Sequence, residues 1–271
     1  MATQAKRAER FRALHEGPEP LLLPNPWDVG SAKLLASLGF AALATTSSGF
    51  AGTLGRLDGS VTRDVAITHA AAIVSAVDVP VSADLENCFA DDPAGVAATA
   101  ALAVDAGLAG FSVEDFTGRP DDPFYEMDIA AERVAAAVEV AHGGEARLVV
   151  TARAENYLHG RRDLADTIAR LQAYEAVGAD VLYAPAVTDA GEIGQLVAAV
   201  DRPVNVLALP GAPTVPELAA LGVRRISVGG AFAFTATGAV VDAARELLDA
   251  GTYGYWERAQ SGGAAARAAY R

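Results

Sequence analysis

Eight short apolar runs, each followed by a longer stretch of helical periodicity, constrain this chain more than any other feature. The apolar runs fall at residues 20–23, 40–45, 79–84, 109–114, 147–153, 181–184, 203–207 and 225–228. Helical patterns follow at 27–37, 64–77, 93–106, 128–142, 162–177, 189–200, 215–221 and 231–250. Short Val-, Leu- and Ala-rich runs without polar alternation suit parallel strands covered by helices. Gly39, Gly107, Gly178 and Gly222 close four of the helices just before a strand, where a left-handed residue is needed. Pro80 and Pro203 stand at strand starts, where a missing amide does no harm. Eight such units without a composition break predict an α/β fold, a closed (β/α)8 TIM-type barrel. The competitor, a doubly wound open sheet, is weakened because no GxGxxG loop follows the first strand.

The expected organisation is one barrel domain over residues 1–271, with two segments outside the repeat. Residues 1 to about 17 form an extra helix that either caps the barrel bottom or packs on another subunit. The tail from Gly251, rich in small residues, is expected to be a peripheral helix or partly disordered.

Bulk properties narrow the functional classes. The hydrophobic share is 52% and the aromatic share only 7%, so the core must be packed from small and branched aliphatics. A formal charge of −13 leaves no basic face to displace counterions from a nucleic acid. A single cysteine, Cys88, excludes an internal disulfide and any multi-cysteine metal centre. The opening MATQAKRAERFRALHEG has no apolar core, and no apolar run reaches about 18 residues. Neither a secretory signal nor a membrane span is expected, and a cytoplasmic location is the default.

Chemistry in a barrel sits at the carboxyl ends of its strands. The second run ends in Thr45-Thr46-Ser47-Ser48-Gly49-Phe50, followed by a loop carrying Asp58. The third ends in Asp84-Leu85-Glu86-Asn87, the fourth in Glu114-Asp115, the fifth in Arg153-Ala154-Glu155-Asn156. If the third strand persists, Asp84 and Glu86 share a face, with Glu114 on the neighbouring strand. Such a cluster repels itself without a cation, and oxygen donors without histidine or thiolate favour Mg²⁺ or Mn²⁺. The plain alternative is that these are solvated, helix-capping acids, as Asp91 or Asp92 before Pro93 is.

Arg153 fits either a clamp on an anionic ligand or an ion-pair network, and Glu155 is placed to orient its guanidinium. The Ser47 to Phe50 turn offers amides and a hydroxyl to a carboxylate. Gly229-Gly230 could cradle a phosphate or simply turn. His159 lies near the mouth, whereas His15, His69 and His142 read as structural or solvated. Cys88 reads as an inert small residue, and Arg161-Arg162 and Arg224-Arg225 as solvated element ends.

These motifs resemble the isocitrate lyase/phosphoenolpyruvate mutase superfamily across roughly residues 20–250. The resemblance rests on LLLPNPWDVGSAKLLASLGF, TTSSGF, LGRLD, VPVSADLEN, AGFSVED and VTARAEN, in that order. It implies a Mg²⁺-dependent barrel handling 2-oxo acids or phosphoenolpyruvate-like compounds. Asp84 would then be the direct metal ligand, with Asp58, Glu86 and Glu114 holding the metal's water shell. Ser48, Gly49 and Phe50 would grip the substrate carboxylate and Arg153 its anionic oxygens; Arg153, Asp58 and Glu155 are the expected catalytic group. It also implies a homotetramer, with a dimer as second choice, in which the eighth helix is exchanged between subunits.

The departures matter as much. Lyases of this kind carry a lysine- and histidine-containing loop with a catalytic cysteine after the fourth strand, and mutases a lysine and an asparagine-serine pair. Here the loop reads DFTGRPDDPFYEMD, without Cys, Lys, His or Asn. ENCFA replaces a glycine-aromatic-glycine turn after the third strand. The expected function is a carbon–carbon lyase or decarboxylase for a small 2-oxo or 2-hydroxy di- or tricarboxylic acid, acting through an enolate. The proton donor would be Tyr125, His159 or, by preference, a bound water. The alternatives are a phosphonomutase or phosphonopyruvate hydrolase, and a non-catalytic barrel that binds a small acid.

Overall fold

The structure, a computed structural model, describes residues 2–271. Its elements run α1 (Gln4–Ala13), β1 (Leu21–Leu23), α2 (Val29–Ser37), β2 (Leu43–Ala44), α3 (Ser47–Thr53), α4 (Arg63–Ala76), β3 (Val81–Asp84) and α5 (Pro93–Asp105). Then come β4 (Gly110–Glu114), β5 (Phe116–Arg119), β6 (Asp122–Phe124), α6 (Met127–His142), β7 (Val149–Arg153), α7 (Leu164–Ala176), β8 (Val181–Tyr183) and α8 (Ala190–Ala198). The chain closes with β9 (Val204–Leu207), α9 (Val215–Ala220), β10 (Arg225–Ser227), α10 (Ala231–Arg245), a π-helical turn (Glu246–Ala250) and α11 (Trp256–Ala269).

Eight of the strands form one parallel sheet in the order β1-β10-β9-β8-β7-β4-β3-β2. The amide of Ala44 donates to the carbonyl of Pro24 at 3.1 Å and brings its two ends together. The fold is therefore the (β/α)8 barrel, and each of the eight apolar runs contains one of its strands. Gly39, Gly107, Gly178 and Gly222 take φ of 96°, 78°, 100° and 88°, values that a side chain would strain. Several of the helices that follow strands start on short polar side chains. Asp92 accepts from the Gly95 amide at 2.8 Å, and Asp189 from the Glu192 amide at 2.9 Å.

One end of the barrel is sealed. Phe11 of α1 is fully buried and packs with Leu21, Leu23, Val149 and Val181 inside the strands' amino ends. Truncating such a ring to alanine costs about 3–5 kcal/mol. Gln4 fixes the helix further by donating to the carbonyls of Val104 at 2.7 Å and Leu108 at 3.1 Å. A hollow of about 450 Å³ lies at this end, lined by Arg12, His15, Arg147 and Asp180. It is far from the strands' carboxyl ends, where barrels carry their chemistry.

Four readings need correction. The segment from Ser47 is not a turn but the first turn of α3, because Thr46 caps it and the Phe50 amide donates to the Thr46 carbonyl at 3.0 Å. Strand β3 ends at Asp84, and Glu86 lies beyond it with φ 51°, so strand alternation does not set their common direction. Arg225 is not a solvated element end: it is 4% exposed and points into the barrel. The loop after β4 is a two-stranded hairpin, β5 with β6.

Candidate active site

The open end of the barrel gathers acids from four segments around one guanidinium. Asp84 and Glu114 end adjacent strands, Arg153 ends the next, and the register pairs Glu114 directly with Arg153. Nη1 of Arg153 lies 2.7 Å from Oε1 of Glu114 and 3.1 Å from Oδ1 of Asp84, while its Nε lies 2.7 Å from Oε1 of Glu155. The Ser47 amide donates to Oδ2 of Asp84 at 3.0 Å, so the start of α3 is tied to the end of β3. Asp58 comes in from an exposed loop and lines the same cavity as Asp84 and Arg153, with a volume of about 170 Å³. Glu86 and Glu114 line an adjoining hollow of about 400 Å³ with Phe116. Asp58, Asp84, Glu86, Glu114 and Arg153 thus share one mouth.

The electrostatics reflect too many acids for one cation. Burial pushes the Glu86 carboxyl up to about 7, and Asp84 and Asp58 add to the effect. Glu114 is raised well above the usual range by burial first; Arg153 opposes this, and Glu155, Asp84 and Glu86 reinforce it. Glu155 rises to about 7 for the same principal reason. Asp58 is raised by loss of hydration and by Asp84, with Ser47 partly offsetting them. Among the described residues no three His, Cys, Asp or Glu side chains converge to grip an ion by themselves.

Supports for the mouth lie in places the sequence did not signal. Arg133 of α6 is fully buried and donates to the Glu114 carbonyl at 2.9 Å and the Ala90 carbonyl at 3.0 Å. Its guanidinium sits 3.9 Å from the Tyr125 ring centroid. It holds the stretch after β3, where Glu86, Cys88 and Phe89 all adopt positive φ without being glycine. Such conformations cost roughly 1–2 kcal/mol each and persist where surrounding contacts enforce them. Asp115 accepts from the Glu155 amide at 2.8 Å and is itself held by Arg170 at 2.9 Å and the Tyr174 hydroxyl at 2.7 Å. On a helix, an inward arginine looks the same in sequence as a solvated one.

The remaining candidates separate. Ser48 lines the cavity, whereas the Gly49 amide faces the Thr46 hydroxyl at 3.4 Å and the Phe50 amide is spent within α3. The Phe50 ring stacks on His69 at 3.6 Å, so it seats α3 against α4. A Cβ on Gly49 would meet Thr46 at 2.6 Å, which explains glycine there. Cys88 is fully buried with its thiol pushed up to about 12 by burial, and is inert. The Tyr125 hydroxyl donates to Asp91, which lines the hollow beside Glu86 and Glu114. His159 stacks on Phe116 at 3.5 Å, its Nε2 3.8 Å from Oε2 of Glu155.

The strand ends thus bring acids, an arginine and a helix N-terminus to one mouth, groups able to hold a small polar ligand. The chain belongs to the phosphoenolpyruvate phosphomutase family, which it matches over residues 11–248, and so to the isocitrate lyase/phosphoenolpyruvate mutase superfamily. It is 54% identical to a candidate lyase/mutase from Burkholderia cenocepacia J2315, with a TM-score of 0.92 over 94% of this chain and 92% of that one. It is 29% identical to 2-methylisocitrate lyase of Escherichia coli across 72% of this chain and 67% of that protein. It is also 28% identical to oxaloacetate decarboxylase of Chromohalobacter salexigens, across 92% of this chain and 88% of that enzyme.

Proposed function

We propose that this protein is a Mg²⁺-dependent carbon–carbon lyase or decarboxylase for a small 2-oxo or 2-hydroxy di- or tricarboxylic acid, acting through an enolate. The observation that carries this reading is the set of five acids, Asp58, Asp84, Glu86, Glu114 and Glu155, around the single guanidinium of Arg153. Protein oxygens without histidine or thiolate fit a hard dication. Because no three of them converge, the ion that fits would keep much of its water, as Mg²⁺ does. Asp84 would hold it directly, with Asp58, Glu86 and Glu114 acting through its water. When bound, it supplies Lewis-acid stabilisation for charge developing on the 2-oxo oxygen.

The chain's own groups supply the rest. Ser48, at the second position of α3, offers its amide and hydroxyl to the substrate carboxylate. Arg153, oriented by Glu155, binds the oxygens that gain charge as the bond breaks. The β5–β6 hairpin stands over the adjoining hollow, with Phe116 beside Glu86 and Glu114. With Tyr125 turned towards Asp91, a water beneath the hairpin is the preferred proton donor.

Similarity to a decarboxylase and a lyase supports carbon–carbon cleavage, and the missing lysine and asparagine-serine pair argue against phosphonate chemistry. The test is to incubate protein and Mg²⁺ with oxaloacetate, 2-methylisocitrate and phosphonopyruvate, following ¹³C and ³¹P spectra. Pyruvate or a close relative is expected from a carbon substrate. Interconversion of phosphonopyruvate and phosphoenolpyruvate without carbon–carbon cleavage would defeat the assignment.

A further inference from the structure

Below the mouth, the barrel interior is polar where barrels usually stack branched aliphatics. Ser82, Ser112, Thr151, Asn205 and Ser227 are buried there, and all line the same cavity as Asp84 and Arg153. Among them stands Arg225 of β10. Its Nε donates to Oδ1 of Asn205 at 2.9 Å and its Nη1 to Oγ1 of Thr151 at 3.0 Å. Both partners are neutral. Among the described residues no carboxylate lies within ion-pair distance of Arg225, although each of the other acid-facing mouth contacts is paired. Its Nη2 makes no hydrogen bond and is not sealed from the cavity.

A buried cation without a counter-charge is costly, by several kcal/mol after relaxation. Hydration loss pushes this guanidinium down to about 9, and the nearby Arg153 works in the same direction. As a mere brace between Thr151 and Asn205, a neutral amide would serve at lower cost. A permanent charge with a free donor facing a cavity is what an anionic ligand group requires.

We propose that Arg225, with Asn205 and Thr151 holding its plane, is a second anion-binding group that selects diacids by taking the substrate's distal carboxylate. This rests on the reading of the mouth as a 2-oxo acid site, and names the residue that reads the second carboxylate. A monoacid would fill the head position at Ser48 and Arg153 and leave Arg225 uncompensated. A diacid places its second carboxylate against Arg225 and supplies the counter-charge missing there.

The test is binding, so it does not depend on which bond the enzyme breaks. Full-length protein with Mg²⁺ is titrated calorimetrically with 3,3-difluorooxaloacetate, a dianion, and 2-oxobutyrate, a monoanion with the same 2-oxo head. Arg225→Met is expected to weaken the dianion at least 30-fold and the monoanion less than threefold. Arg225→Lys, which keeps the charge but loses the planar fork, is expected to fall between, and it carries the test if the methionine variant does not fold. Equal weakening of both acids, or an unchanged dianion, overturns the proposal and leaves the mouth reading standing. Failure of both acids to bind the wild-type protein overturns the mouth reading and this proposal with it.

Discussion

Nε of Arg153 lies 2.7 Å from Oε1 of Glu155, a carboxylate only 1% exposed. The pair fixes the direction in which the guanidinium meets Glu114 and Asp84. Its geometry is set from behind, since Asp115 receives the Glu155 amide and is held by Arg170 and Tyr174. Glu155→Gln should therefore leave the fold intact and lower kcat about 100-fold, the scale of loss when a reacting group is misplaced by about 1 Å. Circular dichroism with steady-state kinetics checks this; unchanged kcat would remove Glu155 from the machinery.

Metal binding should stabilise the protein. At a Mg²⁺ concentration of about 100 times Kd, mass action contributes about 2.7 kcal/mol. For a domain of this size that raises Tm by roughly 5–10 °C. Asp84→Ala should abolish the shift, and EDTA should abolish turnover until Mg²⁺ or Mn²⁺ is restored. A thermal scan that does not respond to Mg²⁺ would contradict the assignment.

His15 makes the fold acid-sensitive. It is 5% exposed, its Nδ1 donates to the Phe11 carbonyl at 2.8 Å, and its buried Nε2 has no partner. Burial first, then Arg225, lowers its pKa from 6.5 to about 4. Between those values the unfolded chain takes a proton that the folded chain refuses. The stability contribution is thus complete above pH 6.5 and is lost as pH falls towards 4, by about 3 kcal/mol. Urea unfolding of wild type and His15→Phe from pH 7 to 4 should diverge by that amount; parallel curves would refute it.

The apolar surface of α10 and the turn after it calls for a partner. Phe234 is 56% exposed, Val240 68% and Leu248 82%. Exposed apolar patches of this kind mark interfaces. A homo-oligomer is expected, a tetramer before a dimer, with this helix packed on a neighbouring subunit. Light scattering on wild type and Val240→Asp should show an assembly that the aspartate weakens; a wild-type monomer at micromolar concentration would contradict it.

The eight strands, their order and their helices were legible because each is a local pattern. Period, glycine stops and aspartate caps act over a few residues and agree with one another along the chain. Asp84, Glu114 and Arg153 were legible for the same reason: each closes an apolar run, and in a barrel that position brings them together. Which way a side chain faces was another matter. Arg225 reads as half of a solvated Arg-Arg pair, yet the register with Asn205 turns it into the barrel. Phe50 reads as part of an anion-binding turn, yet its ring is drawn onto His69 once α3 and α4 pack. Arg133 looks like any helix-surface cation until Glu114, Asn87 and Ala90 present their carbonyls to it. Local propensity determined where the chain turns and what ends each strand. Only barrel closure, which sets the inward or outward sense of each strand residue, decided which charges are buried and what they face.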